Sequence, residues 1–321
     1  MNKEPIIIVA GEPNSVFLET FFKSLKIKIF KSPLILIVSK KLLKQQMKKL
    51  GFDYKINTID VNFKKYNELD NININLIDVK YEFNKCFDKI SDKSNNYIEK
   101  SFKVALDLLT KNNFSKLING PISKKHFLKG KSLGITEYLA NKTKKKNNIA
   151  MLIFNKKLSV SPITTHLALK DVNKHITKQK IYTQVKLISE FYETVLKKKP
   201  RIAVTGINPH CESNFINSEE DAIISPAIKK LKNKKFTVEG PFPADTIFMK
   251  QNFRRFDVII GMYHDQVLSP MKALFGFNAI NITLGLPFIR VSPDHGPNYS
   301  MLGKNLSNPI SLIEALKFLD K

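Results

Sequence analysis

The sequence predicts an α/β protein with a largely parallel sheet. Short β-branched or aliphatic runs alternate with longer helix-like stretches along the whole chain. Each run is bounded by Gly, Pro or polar residues, as strands are. The 321 residues, 43% of them hydrophobic, suit one large or two modest globular domains.

The elements follow in order. Ile6–Ala10 reads as a first strand that turns at Gly11-Glu12-Pro13, and Val16–Leu25 as a helix. Leu34–Val38 is a strand and Lys40–Leu50 a helix, followed by a polar, Asn-rich connection over Asn62–Lys80. Ser94–Thr110 is helical and Lys116–Asn119 extended. A basic loop at Lys142–Lys146 precedes strands at Ala150–Phe154 and Leu158–Ile163. Helix Lys174–Leu196, strand Arg201–Thr205, helix Glu219–Lys232 and strand Asp257–Gly261 complete the alternation. A last helix opens at Pro309-Ile310-Ser311, with proline where a first turn tolerates it, and runs to about Leu319. No internal repeat is visible.

Composition removes several function classes. A charged fraction of 25% is that of a folded chain, not a disordered one. No apolar run reaches the length of a membrane span. The N-terminus lacks the basic region and cleavage site of a signal peptide. Cys86 and Cys211 make no disulfide framework. A cytoplasmic location is the expectation. The net charge of +25 would attract phosphate-bearing partners, nucleic acid included. The excess is nearly all lysine, however, with arginine only at Arg201, Arg254, Arg255 and Arg290. Lysines spread over solvated faces account for it, so neither a nucleic-acid nor a membrane partner is expected.

The unusual residues gather on loops after strands, where open α/β sheets carry their ligands. Of six histidines, His166 follows two threonines, His210 follows Asn-Pro, and His264 stands between Tyr263 and Asp265. Three imidazoles suit zinc, cobalt or a related divalent ion and leave positions open for substrate. Separate loop histidines making ordinary hydrogen bonds are the other reading of the same residues. His126 and His175 lie in helical patterns and read as surface. A second group is Lys272, Asn281 and Arg290, where Arg290 is conspicuous in a chain that otherwise writes lysine; a planar fork for carboxylate or phosphate is one reason to keep it. Neither GxGxxG, nor a P-loop, nor GxSxG occurs. The residues themselves therefore point to an α/β enzyme with a candidate metal site and an anionic substrate.

Eight blocks, in order, resemble the 4-hydroxythreonine-4-phosphate dehydrogenase family of pyridoxal phosphate biosynthesis. They are NGPISK at Asn119–Lys124, GITEYLA at Gly134–Ala140, TTHLALKDV at Thr164–Val172, GINPHCES at Gly206–Ser213, EED at Glu219–Asp221, GPFPADTIF at Gly240–Phe248, MYHDQ at Met262–Gln266 and NITLGLPFIRVSPDHG at Asn281–Gly296. The resemblance implies a two-domain fold like the isocitrate and isopropylmalate dehydrogenases, with a non-Rossmann cofactor site in the inter-domain cleft. Residues 1–125 with 297–321 would form one α/β domain. Residues 126–296 would form the second, carrying most metal and substrate residues and the interface of a homodimer with shared active sites. It implies that His166, His210 and His264 bind one divalent metal (zinc, magnesium or cobalt), with ligands shared between subunits. Thr136, Asp245, Lys272, Asn281 and Arg290 would face the substrate. The implied reaction oxidises 4-phosphohydroxy-L-threonine at C3 with NAD or NADP, and the β-keto acid loses CO₂ to give 3-amino-2-oxopropyl phosphate. Lys272 and Asp265 are both of a type to take the hydroxyl proton.

Three departures from the family pattern stand out. Ile135 replaces a histidine before Thr136, which removes one polar contact to substrate. The N-terminal turn, Gly11–Glu19, lacks the family's later glycines. Cys211-Glu212-Ser213 replaces Ala-Gly-Glu after His210, so Cys211 is either a small filler or a further ligand. The first departure keeps open a paralogue acting on another phosphorylated or carboxylated hydroxy compound, such as 4-phosphothreonate. A non-catalytic binding protein on the same fold is the reading from another class, and the retained histidines, Lys272, Asn281 and Arg290 argue against it.

Overall fold

The computed structural model describes residues 3–63, 69–111, 114–130, 132, 134–145, 148–212, 218–276, 278–293 and 295–320. Ser213, Asp294, Lys146 and part of the Asn62–Lys80 connection lie outside the described residues. The chain divides into two compact units, residues 1–138 with 287–321, and residues 139–286.

In chain order the first unit begins with β1 (Ile6–Val9), α1 (Phe17–Ile27), β2 (Leu34–Val38), α2 (Lys40–Lys49), β3 (Ile56–Thr58), β4 (Ile74–Asp78), α3 (Asn95–Lys111), β5 (Lys116–Asn119) and the start of α4 (Ile135–Lys142). The second unit contains β6 (Ala150–Phe154), β7 (Ser159–Thr164), α5 (Val172–His175), α6 (Lys178–Val195), β8 (Ile202–Thr205), α7 (Ser225–Asn233), β9 (Val238–Phe242), α8 (Ala244–Ile247), α9 (Lys250–Phe253), β10 (Val258–Tyr263), α10 (His264–Phe275) and β11 (Ile280–Leu284). The chain then returns to the first unit with β12 (Ile289–Pro293) and α11 (Ile310–Leu319).

In the first unit the strand order is β3-β4-β2-β1-β5-β12, and every pair is parallel. Every residue of β1 and β2 is buried, as unbroken apolar strands in the middle of a parallel sheet should be. The Ser39 side chain caps α2 by accepting from the Leu42 N–H. The strand β4 falls inside the stretch read as an Asn-rich connection. Its INLID sequence buries Ile74, Asn75, Leu76 and Ile77, and Asn75 is accommodated because its amide donates to the Leu34 and Asp70 carbonyls.

In the second unit the order is β11-β6-β7-β10-β8-β9. The pairs β7–β10, β10–β8 and β8–β9 are parallel, while β11–β6 and β6–β7 are antiparallel. The reversal at β6–β7 is forced by a connection of residues 155–158, too short for a parallel crossover. Thr177 caps α6 through the Lys180 N–H. An apolar cluster of Val160, Ala203, Ile259, Val267, Leu268 and Met271, with others, packs α10 on this sheet.

The chain passes between the two compact units at 138–139 and at 286–287. β12 pairs with β5 in register Arg290↔Leu117, which carries Arg290 into the first unit, and Thr136 goes with it. Among the described residues no helix is long and apolar enough to cross a membrane.

Candidate active site

The histidine loops are set by strand register in the second unit. β7 and β10 run parallel with Thr164 opposite Tyr263. His166 stands two residues beyond the first and His264 one beyond the second, so neighbouring strands deliver both imidazoles to the same sheet end. Their ring centroids lie 5.9 Å apart at 37°. The Thr164 hydroxyl donates to the Met262 carbonyl at 2.8 Å and ties the two strand ends together. His166 holds a left-handed backbone at φ 55°, a conformation that a non-glycine residue adopts at a cost.

Asp265 is placed to orient His264. Its Oδ1 lies 2.7 Å from Nδ1 of His264, a contact in which Nδ1 donates to the carboxylate, so that Nε2 is the nitrogen a neutral ring would offer to a metal. His264 opens α10, and Leu268 and Lys272 follow at intervals of four. The helical repeat therefore puts His264 and Lys272 on one stripe, about 12 Å apart along the axis. Lys272 is half-buried.

His210 stands on the longer loop after β8. Its Nδ1 is 3.9 Å from Oδ2 of Asp245, in the first turn of α8, and both side chains are largely exposed. His210 and Cys211 both have left-handed backbones. The loop is braced by Glu220, which was legible in the sequence only as part of an acidic block. Glu220 is buried; its Oε1 accepts from the N–H groups of Ile207 and Asn208, and its Oε2 from the Asn208 amide. Burial opposes ionisation of Glu220, but the hydrogen bonds from Asn208 and Ile207 outweigh it and hold the carboxyl below its ordinary range. Cys211 fills space: a Cβ on Gly206 would come 2.7 Å from its Sγ. Burial, with help from Glu220 and Asp245, pushes the thiol up and keeps it protonated.

The chain thus brings His166 and His264 together, and His210 beside Asp245. Among the described residues no group of three or more His, Cys, Asp or Glu side chains stands close enough to hold one metal ion. The donor chemistry suits a divalent ion all the same, since paired imidazoles with a carboxylate on the remote nitrogen are an established first and outer ligand arrangement. Asn281, on β11, adds a buried Oδ1 that accepts no hydrogen bond from the described residues.

Thr136 and Arg290 belong to the first unit. Thr136 is buried in the first turn of α4, with Ile135 half-buried before it. Arg290 is 1% exposed. Its Nε donates to Oδ1 of Asn119 at 2.6 Å. Burial pulls the guanidinium below its ordinary value and the nearby Glu137 carboxylate works against that. The turn at Gly11 packs on the next strand end, the Glu12 N–H donating to the Pro121 carbonyl at 2.9 Å. Where the later glycines are missing, Asn14, Ser15 and Val16 are buried. His175 bonds within its own turn, to the Asp171 carbonyl, while Nδ1 of His126 lies 2.9 Å from Oδ1 of Asp92, 34 residues earlier in the chain.

The family model described as pyridoxal phosphate biosynthetic protein PdxA matches residues 30–319. The chain belongs to this family. A 4-hydroxythreonine-4-phosphate dehydrogenase of Sulfurihydrogenibium sp. (strain YO3AOP1) is 40% identical, over 97% of this chain and 96% of the relative. A protein of Oceanobacillus iheyensis, provisionally named D-threonate 4-phosphate dehydrogenase, is 32% identical over 98% of this chain and 97% of its own. The crystal structure of the Klebsiella pneumoniae 4-hydroxythreonine-4-phosphate dehydrogenase superposes with a TM-score of 0.84 at 26% identity, covering 99% of this chain and 98% of that one. At the level of fold alone the likeness extends to isocitrate dehydrogenase from Methylococcus capsulatus, with a TM-score of 0.51 at 8% identity over 98% of this chain and 84% of that one. The expected dehydrogenase-like fold is the one this PdxA-family chain adopts.

Proposed function

We propose that this PdxA-family chain oxidises 4-phosphohydroxy-L-threonine at C3 with NAD or NADP, the β-keto acid then losing CO₂ to give 3-amino-2-oxopropyl phosphate. One observation carries the reading: His166 and His264 stand side by side with Asp265 on the remote nitrogen of His264, in a chain that matches a dehydrogenase family along most of its length. A divalent ion (zinc, cobalt or magnesium) would be held by His166, His210 and His264, with ligands shared between the two copies of a homodimer.

When bound, the ion supplies positive charge where the hydroxyl oxygen becomes anionic and then ketonic, and the nicotinamide accepts the hydride. The chain's own side chains do the rest. Asp265 bonds Nδ1 of His264 and so orients the imidazole, and Lys272, two turns further along α10, is by its residue type the group assigned to take the hydroxyl proton. Asn281, with its open acceptor, holds a donor group of the substrate. Arg290 and Thr136 neutralise and bond its anionic groups, and Asp245 lines the His210 side.

A second reading is favoured by Ile135. With no polar side chain at that position, the set of polar contacts differs from the family pattern, and D-threonate 4-phosphate, which carries a neutral hydroxyl where the amino compound carries a charged amine, is the alternative substrate. Reduction of NAD or NADP by the purified protein, measured separately with 4-phosphohydroxy-L-threonine and D-threonate 4-phosphate, tests both. The first reading expects faster turnover of the amino compound. Turnover of the threonate alone would replace it with the second.

A further inference from the structure

We propose that Gln266 is a positioning residue for the histidine site, its carboxamide fixing the loop that carries His210 against the turn that carries His264. The inference rests on the metal reading above.

Gln266 lies two residues beyond His264 in the first turn of α10. Its Oε1 accepts from the Met262 N–H at 2.7 Å and from the Thr205 hydroxyl at 2.9 Å. Its Nε2 donates to the Gly206 carbonyl at 2.8 Å. Met262 stands two residues before His264, near the end of β10, while Thr205 ends β8 and Gly206 begins the loop that leads to His210. One side chain therefore binds both loops at their roots.

The far side of Gly206 leaves that loop little freedom. Its N–H donates to the Phe242 carbonyl at 3.0 Å. A Cβ at Gly206 would meet Cys211 Sγ at 2.7 Å and Glu220 Oε1 at 2.8 Å. The next two N–H groups are held by Glu220. A displacement of the Gly206 carbonyl is thus passed along Ile207 and Asn208 to Pro209-His210 instead of being absorbed. The contacts require a carboxamide, because Gly206 offers an acceptor while Met262 and Thr205 offer donors. A carboxylate would set oxygen against the Gly206 carbonyl. A thioether would fill the space and bond none of the three.

The test uses metal-stripped full-length protein titrated with cobalt(II) alone, followed by its visible ligand-field absorption and by equilibrium dialysis. Gln266→Glu and Gln266→Met should each lower cobalt affinity by about 10- to 100-fold, the range for residues that orient metal ligands. The KM for the nicotinamide should stay unchanged while kcat falls, and circular dichroism should confirm a folded chain. Thr205→Ser, which keeps the hydroxyl, should bind cobalt as the parent does. If His264→Ala loses cobalt but both Gln266 variants bind it with parental affinity, the positioning role is overturned and the metal reading stands. If His264→Ala also binds cobalt like the parent, the metal reading fails and takes this inference with it.

Discussion

The Nε of Arg290 donates to Oδ1 of Asn119 at 2.6 Å, joining the start of β12 to the end of β5. The Asn119 amide is fixed for this task, since its Nδ2 donates to the Gly120 carbonyl at 2.8 Å and so turns Oδ1 toward the guanidinium. Asn119→Ala would withdraw an acceptor from a buried charge. The expected cost is about 1.5–3 kcal/mol of stability, read as a lower denaturant midpoint with an unchanged slope. Arg290→Lys, which keeps charge without the planar fork, should lower kcat/KM for the phosphorylated substrate by more than about tenfold.

Asp265 tests the orientation of His264 separately from the fold. Its side chain is 77% exposed, so Asp265→Ala should leave the melting temperature close to that of the parent. Losing the partner of Nδ1 should still weaken divalent-metal binding about 10- to 100-fold. Isothermal titration with zinc measures it.

The Asp257 carboxylate ties the start of β10 to the chain entering β8. Burial opposes its ionisation, but the Lys198 ammonium at 2.5 Å and the Arg201 N–H at 2.8 Å outweigh that and hold it below its ordinary value. A carboxyl lowered in the folded state adds stability above its unfolded value and loses it as pH falls through the lowered one. Asp257→Asn should therefore melt well below the parent at neutral pH, and the gap should close in acid. A gap independent of pH would contradict the assignment.

Gly285 sits at φ +87°, and a Cβ there would come 1.9 Å from the Asn148 carbonyl oxygen. Backbone cannot yield as a side chain tip does. Gly285→Ala should cost about 3 kcal/mol or more, measured by chemical denaturation, whereas Gly51→Ala, with open space around it, should cost only the strain of its own positive φ.

What the sequence makes legible depends on how local the cause is. Ile6–Val9 and Leu34–Val38 are readable as strands because burial on both faces writes an unbroken apolar run. The strand Ile74–Asp78 is hidden because Asn75 interrupts it, and only a tertiary partner at Leu34 and Asp70 makes that residue acceptable. β11 and β12 are masked by the density of Asn, Gly, Pro and Arg that marks the same segment as functional. At the site, residue type and strand-end position single out His166, His210 and His264. Their pairing is not local: the register Thr164↔Tyr263 brings His166 to His264, and no spacing in the chain encodes it. Glu220 and Gln266 escape a sequence reading for the same reason, since what they hold is backbone, which carries no residue-specific signal.

The most direct test strips the protein of metal and follows reduction of NAD or NADP with 4-phosphohydroxy-L-threonine, before and after adding zinc, cobalt or magnesium, in the parent and in His210→Ala. The account predicts that the stripped parent is inactive, that a divalent ion restores turnover, and that folded His210→Ala is not restored by any of the three. Full turnover by the stripped parent, or by His210→Ala, would contradict it.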